Sequence, residues 1–143
     1  MAIDLPYFDD IFRRSPDSPI VRAFERHEKA SEMWKDAATF ASGLRVPKPY
    51  GDYIMLEILR DSNGLAVSIP DDAILASLRD WAKNEGVLLC PEGAAATAAY
   101  AHLLETRVLK PEDRVVIFNT GAGLKYTDVI AEAAHIDRPR PSA

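Results

Sequence analysis

The sequence has 143 residues, 48% of them hydrophobic, with a net charge of -5 and a pI near 5.2. That is one domain's worth of chain with enough apolar content for a core, and its acidity argues against nucleic acid and anionic membranes as partners. The single cysteine, Cys90, excludes an internal disulfide and fits a reducing cytoplasm. No apolar run approaches the roughly 20 residues that cross a bilayer, and the start Met1-Ala-Ile-Asp-Leu-Pro lacks the basic and apolar regions of a signal peptide.

Residues 1–18 combine Pro6, Pro16 and Asp9-Asp10 with the aromatics Tyr7, Phe8 and Phe12, and read as an extended arm or short helix that needs a surface to cover. Ser18-Pro19, followed by Ile20, Val21 and Phe24, predicts a short amphipathic helix with Ser18 as cap and Pro19 at its first position, ending before Lys29. Ala41 to Pro49 has small residues, two prolines and no periodicity, so it reads as an ordered loop stiffened on both sides of Lys48. Tyr53, Ile54, Leu56, Ile58 and Leu59 predict a second helix that stops at Ser62-Asn63-Gly64, a turn signal.

Leu65 to Ile69 reads as a short strand. Asp71-Asp72 then opens the clearest helix, because acids suit a helix start and Ile74, Leu75, Leu78, Trp81 and Ala82 form one stripe; Gly86 closes it. Val87 to Cys90 is a second strand, and Pro91-Glu92-Gly93 leads into an alanine-rich helix whose small residues imply close packing. After the loop Lys110-Pro111-Glu112-Asp113, residues 115–119 form a third strand, and a last helix covers about 126–134. The tail from Ile136 reads as frayed. Helices alternating with short apolar strands predict an α/β fold of three layers, a small mostly parallel sheet with helices on both faces.

Val115-Val116-Ile117-Phe118 places four apolar residues in a row before Asn119-Thr120-Gly121-Ala122-Gly123, which aims Thr120 at the crevice beyond the carboxyl end of a covered strand. Gly121 and Gly123 would permit unusual backbone angles and close approach of a flat ligand, and the amides of the following helix start would favour negative charge. Tyr126 stands where a dinucleotide fingerprint needs a third glycine, so that motif is incomplete. His27, His102 and His135 fall on different helices without ligand-spaced partners, so no metal site is expected. Cys90, ending a strand, reads first as a small apolar core residue.

Ser42-Gly43-Leu44-Arg45-Val46-Pro47, Gly51-Asp52, Glu85-Gly86, Pro91-Glu92-Gly93-Ala94-Ala95 and Thr120-Gly121-Ala122-Gly123-Leu124-Lys125, in that order, resemble the C-terminal part of threonine synthase, from near Pro19 to near Glu132. That family belongs to the fold type II, or β-family, enzymes that use pyridoxal phosphate. The resemblance implies a partial fold type II domain over 19–135, an N-terminal arm over 1–18 and a flexible tail over 136–143. It implies further that Thr120 gives its hydroxyl to the ring nitrogen of the cofactor, that Gly43, Leu44 and Gly121 lie beside the ring, that Glu92 stands at the wall nearest the nitrogen, and that Arg45 is on the substrate side. A hydroxyl partner suits elimination and replacement chemistry, because it hydrogen-bonds a neutral ring nitrogen without holding a proton on it.

The family's Schiff-base lysine has no counterpart in context among the six lysines, Lys29, Lys35, Lys48, Lys83, Lys110 and Lys125, and no two of the seven glycines are adjacent to form the phosphate-binding tetrad. The chain therefore reads as one wall of an active site without a catalytic residue of its own. Family members convert O-phosphohomoserine and water to threonine and phosphate; cysteate synthesis and dehydration of hydroxy amino acids are open alternatives within the fold type. A non-catalytic binding or assembly module and one half of a split enzyme are the rival readings. Expected partners are a second copy of the chain, as in a dimer, or a complementary N-terminal half, with a small amino-acid substrate once the site is complete.

Overall fold

The computed structural model describes residues 18–35 and 37–134. The expected arm, with Tyr7, Phe8 and Phe12, and the expected tail, with His135, lie outside the described residues apart from Ser18. Five α-helices follow in order: α1 Pro19–Glu25, α2 Asp52–Asp61, α3 Asp71–Asn84, α4 Pro91–Glu105 and α5 Thr127–Ala133. Two single turns of 3₁₀ helix, Ser42–Leu44 and Gly123–Lys125, lie between them.

Each helix begins and ends for a local reason. Pro19 occupies the first turn of α1, where its missing N–H costs nothing, but Ser18 makes no cap and its hydroxyl is buried without a partner among the described residues. The turn after α2 is closed by Asn63 in the left-handed region at φ 51°, which lets Gly64 N–H donate to Leu59 O at 2.8 Å. Past α3 the same conformation falls to Gly86 at φ 67°. The acids at the start of α3 do more than complement the helix dipole. Asp71 accepts the Thr39 hydroxyl at 2.5 Å and Phe40 N–H at 3.4 Å, and so ties the loop preceding the first 3₁₀ turn to α3.

Most of the core lies between α3 and α4. Ile74 and Leu78 of α3 meet Ala94, Ala95, Ala98 and Ala99 of α4, with Ala41, Leu44, Ile69, Leu89 and Ile130 closing the cluster. The alanines let the two helices approach closely, and Ser77 and Thr97 exchange a hydroxyl hydrogen bond of 2.6 Å across them. Burying each of the larger aliphatic side chains contributes about 1.5–3 kcal/mol. A second cluster joins Ile20 and Ala23 of α1 to Leu56 and Leu59 of α2.

The small parallel sheet is not formed among the described residues. The segments at 65–69, 87–90 and 115–119 run without a strand ladder, and the pairing that does form is one antiparallel bridge between Leu89 and Ala122. A ladder needs an extended partner alongside, and among the described residues only the single Leu89–Ala122 bridge supplies one. Val116 is 81% exposed and Phe118 79%, whereas the sequence implied a strand covered on both faces. Four apolar residues in a row record what the segment is suited to bury, not whether a partner is present.

Asp52, at the first position of α2, anchors the loop that follows α1. It accepts Ser31 N–H at 2.7 Å and the Ser31 hydroxyl at 2.8 Å on one oxygen, and Tyr53 N–H at 2.8 Å on the other. Burial pushes its carboxyl up, but the hydrogen bonds from Ser31 and Tyr53, with Lys48 nearby, outweigh that and hold it below its ordinary value. A depressed folded value means that Asp52 stabilises the fold at pH above the ordinary carboxylate range, and that this contribution is lost as pH falls through the lowered value. Asp52→Ala should therefore cost about 2–3 kcal/mol at pH 7 and flatten the acid limb of a stability-against-pH curve measured by denaturant unfolding.

Candidate functional site

Three segments far apart in sequence meet at the N-terminus of α4. Cys90 is the N-cap residue, extended at φ -68°, ψ 159°, and its sulfur accepts Gly93 N–H at 3.2 Å, so a thiol takes the part that a hydroxyl or carboxylate oxygen usually plays. Pro91 fits the first turn. Glu92 then reaches back to the first 3₁₀ turn, where its Oε1 accepts Gly43 N–H at 2.8 Å. A Cβ at Gly43 would stand 2.8 Å from that same oxygen, so a side chain there would push Glu92 off this contact.

The turn around Thr120 docks on the other side of the same helix start. Cys90 donates its S–H to Asn119 Oδ1 at 3.4 Å, and its sulfur lies 4.0 Å from Thr120 Oγ1. Gly123 N–H donates to Leu88 O at 2.9 Å beside the Leu89–Ala122 bridge. Gly121 and Gly123 do not use left-handed backbone angles; Gly86 is the glycine that does among the described residues. Close approach requires glycine at 123, whereas at 121 a Cβ would make only ordinary contacts. A Cβ at Gly123 would collide with Leu89 O, and one at Gly121 would touch Cys90 at 3.5 Å and the Tyr126 ring at 3.8 Å. Nor does a full helix open directly after Gly121. A single 3₁₀ turn intervenes before α5, so the helix start facing this cluster belongs to α4.

The residues singled out in the sequence are therefore placed as follows. Glu92 and Gly43 are in direct contact, and Thr120 and Gly121 contact Cys90, two positions before Glu92. Thr120 is exposed, as a ligand-facing hydroxyl must be. Leu44 is buried in the core cluster, so its side chain supports the loop from behind. Arg45 is exposed and lines a separate open cavity of about 610 Å³ with Thr39, Asp71 and Asp72. All six lysines are exposed.

Cys90, Asn119 and Tyr126 were not among the sequence candidates. Tyr126, read from sequence only as the residue that spoils a glycine motif, packs against the core and faces the acidic side of the site. The Glu92 carboxylate, then burial, then Cys90 raise its phenol above the ordinary tyrosine value. Glu92 Oε2 is buried and has no hydrogen-bond partner among the described residues. A buried carboxylate oxygen of this kind is costly and marks a place where a donor is wanted.

This arrangement, a glycine amide on a glutamate, a hydroxyl at the end of an extended segment and glycines at the close contacts, makes one wall with a hydroxyl at its edge. A hydroxyl donor near a buried, unpartnered carboxylate oxygen suits the nitrogen edge of a pyridine cofactor; among the described residues no run of glycine amides forms a phosphate cradle beside it. The pyridoxal-phosphate dependent enzyme family model matches residues 14–121, which include every residue of this wall up to Gly121, and the chain belongs to that family. Within it, the chain is similar to threonine synthases. It is 30% identical to the threonine synthase of Methanocaldococcus jannaschii over 81% of this chain and 29% of that protein, and 32% identical to that of Methanosarcina acetivorans over 83% and 30%. The chain thus spans about a third of the length of these relatives. Its fold resembles that of a threonine deaminase from T.th., with a TM-score of 0.52 at 23% identity over 71% of this chain and 35% of that one.

The packing at Gly93 gives a direct test of the docking. A Cβ there would sit on the Asn119 carboxamide. Gly93→Ala should displace the 119–121 turn from α4 and cost about 1–3 kcal/mol by overpacking, whereas Gly51→Ala, where a Cβ meets nothing within 4 Å, should cost far less. Thermal unfolding of the two variants side by side reads the difference.

Proposed function

We propose that this chain forms the ring-nitrogen wall of a threonine synthase-type active site, and that the Schiff-base lysine and phosphate cradle come from polypeptide outside these 143 residues. The observation that carries the reading is the convergence of Gly43, Glu92 and Thr120 on the start of α4 through one hydrogen bond and a sulfur contact. The bound cofactor supplies the electron sink for replacement at the substrate side chain. Thr120 would donate its hydroxyl hydrogen to the ring nitrogen, Gly43 and Gly121 would lie beside the ring, and Glu92 holds the 42–45 loop closed on α4. The family resemblance puts Arg45 on the substrate side, where its guanidinium would meet an anionic substrate such as O-phosphohomoserine, although in this chain it lines the separate cavity beside Asp71 and Asp72. In the assembled enzyme the segments 65–69, 87–90 and 115–119 pair into the parallel sheet, which would cover Val116 and Phe118. The setting is cytoplasmic and the assembly a dimer or a pair of complementary halves.

A second reading, a non-catalytic assembly module on the same fold, is favoured by one observation: all six lysines are exposed and none is among the residues that form the wall. Both readings agree that the chain alone does not turn over, since covalent catalysis needs the lysine. Borohydride reduction of the chain with added pyridoxal phosphate should give no stoichiometric adduct, and a single fully labelled lysine found by mass spectrometry would overturn that conclusion. The two readings part on Thr120→Val. In the chain complemented with a polypeptide that supplies lysine and cradle, it should lower turnover about two- to tenfold, the worth of one hydrogen bond, with stability changed by less than about 0.5 kcal/mol at this exposed position. Unchanged turnover would reduce Thr120 to an ordinary residue at the end of an extended segment.

A further inference from the structure

Cys90 is 1% exposed, yet its surroundings are not those of a core thiol. The sulfur is in reach of three polar groups at once: Gly93 N–H, the Asn119 carboxamide oxygen and the Thr120 hydroxyl. An inert apolar residue would be packed among carbon atoms. From this geometry we infer that Cys90 is a positioning residue for the Thr120 hydroxyl, with Asn119 as its partner; the inference rests on the reading of Thr120 as the ring-nitrogen contact.

The physical argument concerns one rotamer and one proton. Threonine can place either its methyl or its hydroxyl in a given staggered well, and on an exposed residue the choice is weakly biased. A polarizable sulfur 4.0 Å from Oγ1 favours the well that turns the hydroxyl towards α4. The thiol has one hydrogen, and the Asn119 oxygen at 3.4 Å takes it, so Thr120 meets sulfur lone pairs and its hydroxyl donates to them, a weak bond from which it can turn away. A ligand acceptor can then be served by rotation about the Cβ–Oγ1 bond alone, without leaving the well. Asn119 is kept in place because Gly93 has no side chain, a Cβ there falling on the carboxamide oxygen. Gly93 N–H in turn anchors the sulfur at 3.2 Å. Cys90, Gly93 and Asn119 thus form a closed set whose output is the direction of one hydroxyl.

The test uses the full chain without ligand. Three-bond couplings from the backbone nitrogen and carbonyl carbon to the Thr120 methyl carbon report the rotamer directly. Wild type should give the unaveraged couplings of one dominant well. Cys90→Ser, which keeps a polar group able to donate and accept, should retain them; Cys90→Ala should bring both couplings to rotamer-averaged values. A general loss of stability does not move these couplings below the melting temperature, so they separate positioning from packing. Averaged couplings in wild type, unaveraged couplings in Cys90→Ala, or averaged couplings in Cys90→Ser would each overturn the inference. Failure of the Thr120 reading is seen elsewhere, in unchanged turnover of complemented Thr120→Val, and leaves the couplings as they are.

Discussion

The start of α4 is the point on which the rest of the site depends. A helix leaves its first N–H groups unpaired, and whatever satisfies them is held in a fixed place. Here the cap is the Cys90 sulfur, and the residue two positions on, Glu92, captures the amide of Gly43. The loop at 42–45 and the turn at 119–123 belong to different parts of the sequence, and each is bound to this one helix end. Because α4 is packed along its length against α3 through alanines, the helix end is fixed by the main core, and the site inherits that rigidity.

Small residues carry much of the design. Gly43, Gly93 and Gly123 each lie where a Cβ would meet an oxygen, from Glu92, Asn119 and Leu89 respectively. None of these needs an unusual backbone angle. They are gaps filled by polar groups of another segment, and they draw the two loops onto one face at the start of α4. The unpaired oxygen of Glu92 and the exposed hydroxyl of Thr120 border that face. Family membership points to pyridoxal phosphate as the cofactor.

The cluster at the start of α4 and the segment at 115–119 differ in what their backbone groups need. Helix ends and glycine contacts are satisfied by groups within the described residues. An extended segment is satisfied only by a neighbouring strand, and the apolar side chains of Val116 and Phe118 face solvent in its absence. The proposed assembly with complementary polypeptide would meet both needs together.

Sequence alone determined the helices to within a few residues, because periodicity, Pro19 and Pro91 at first turns, Asn63-Gly64 and Gly86 at ends are local signals that act within one or two turns. It determined the family too, since a series of short motifs survives without knowledge of their contacts. Tertiary structure decided what those motifs touch. Nothing local marks Cys90 as a cap that also faces Thr120, Asp71 as the anchor of the loop at Thr39, or Tyr126 as the neighbour of Glu92. Nor could the run Val115 to Phe118 reveal whether strands lie beside it, because a strand's hydrogen bonds are made to distant chain and a helix's to its own.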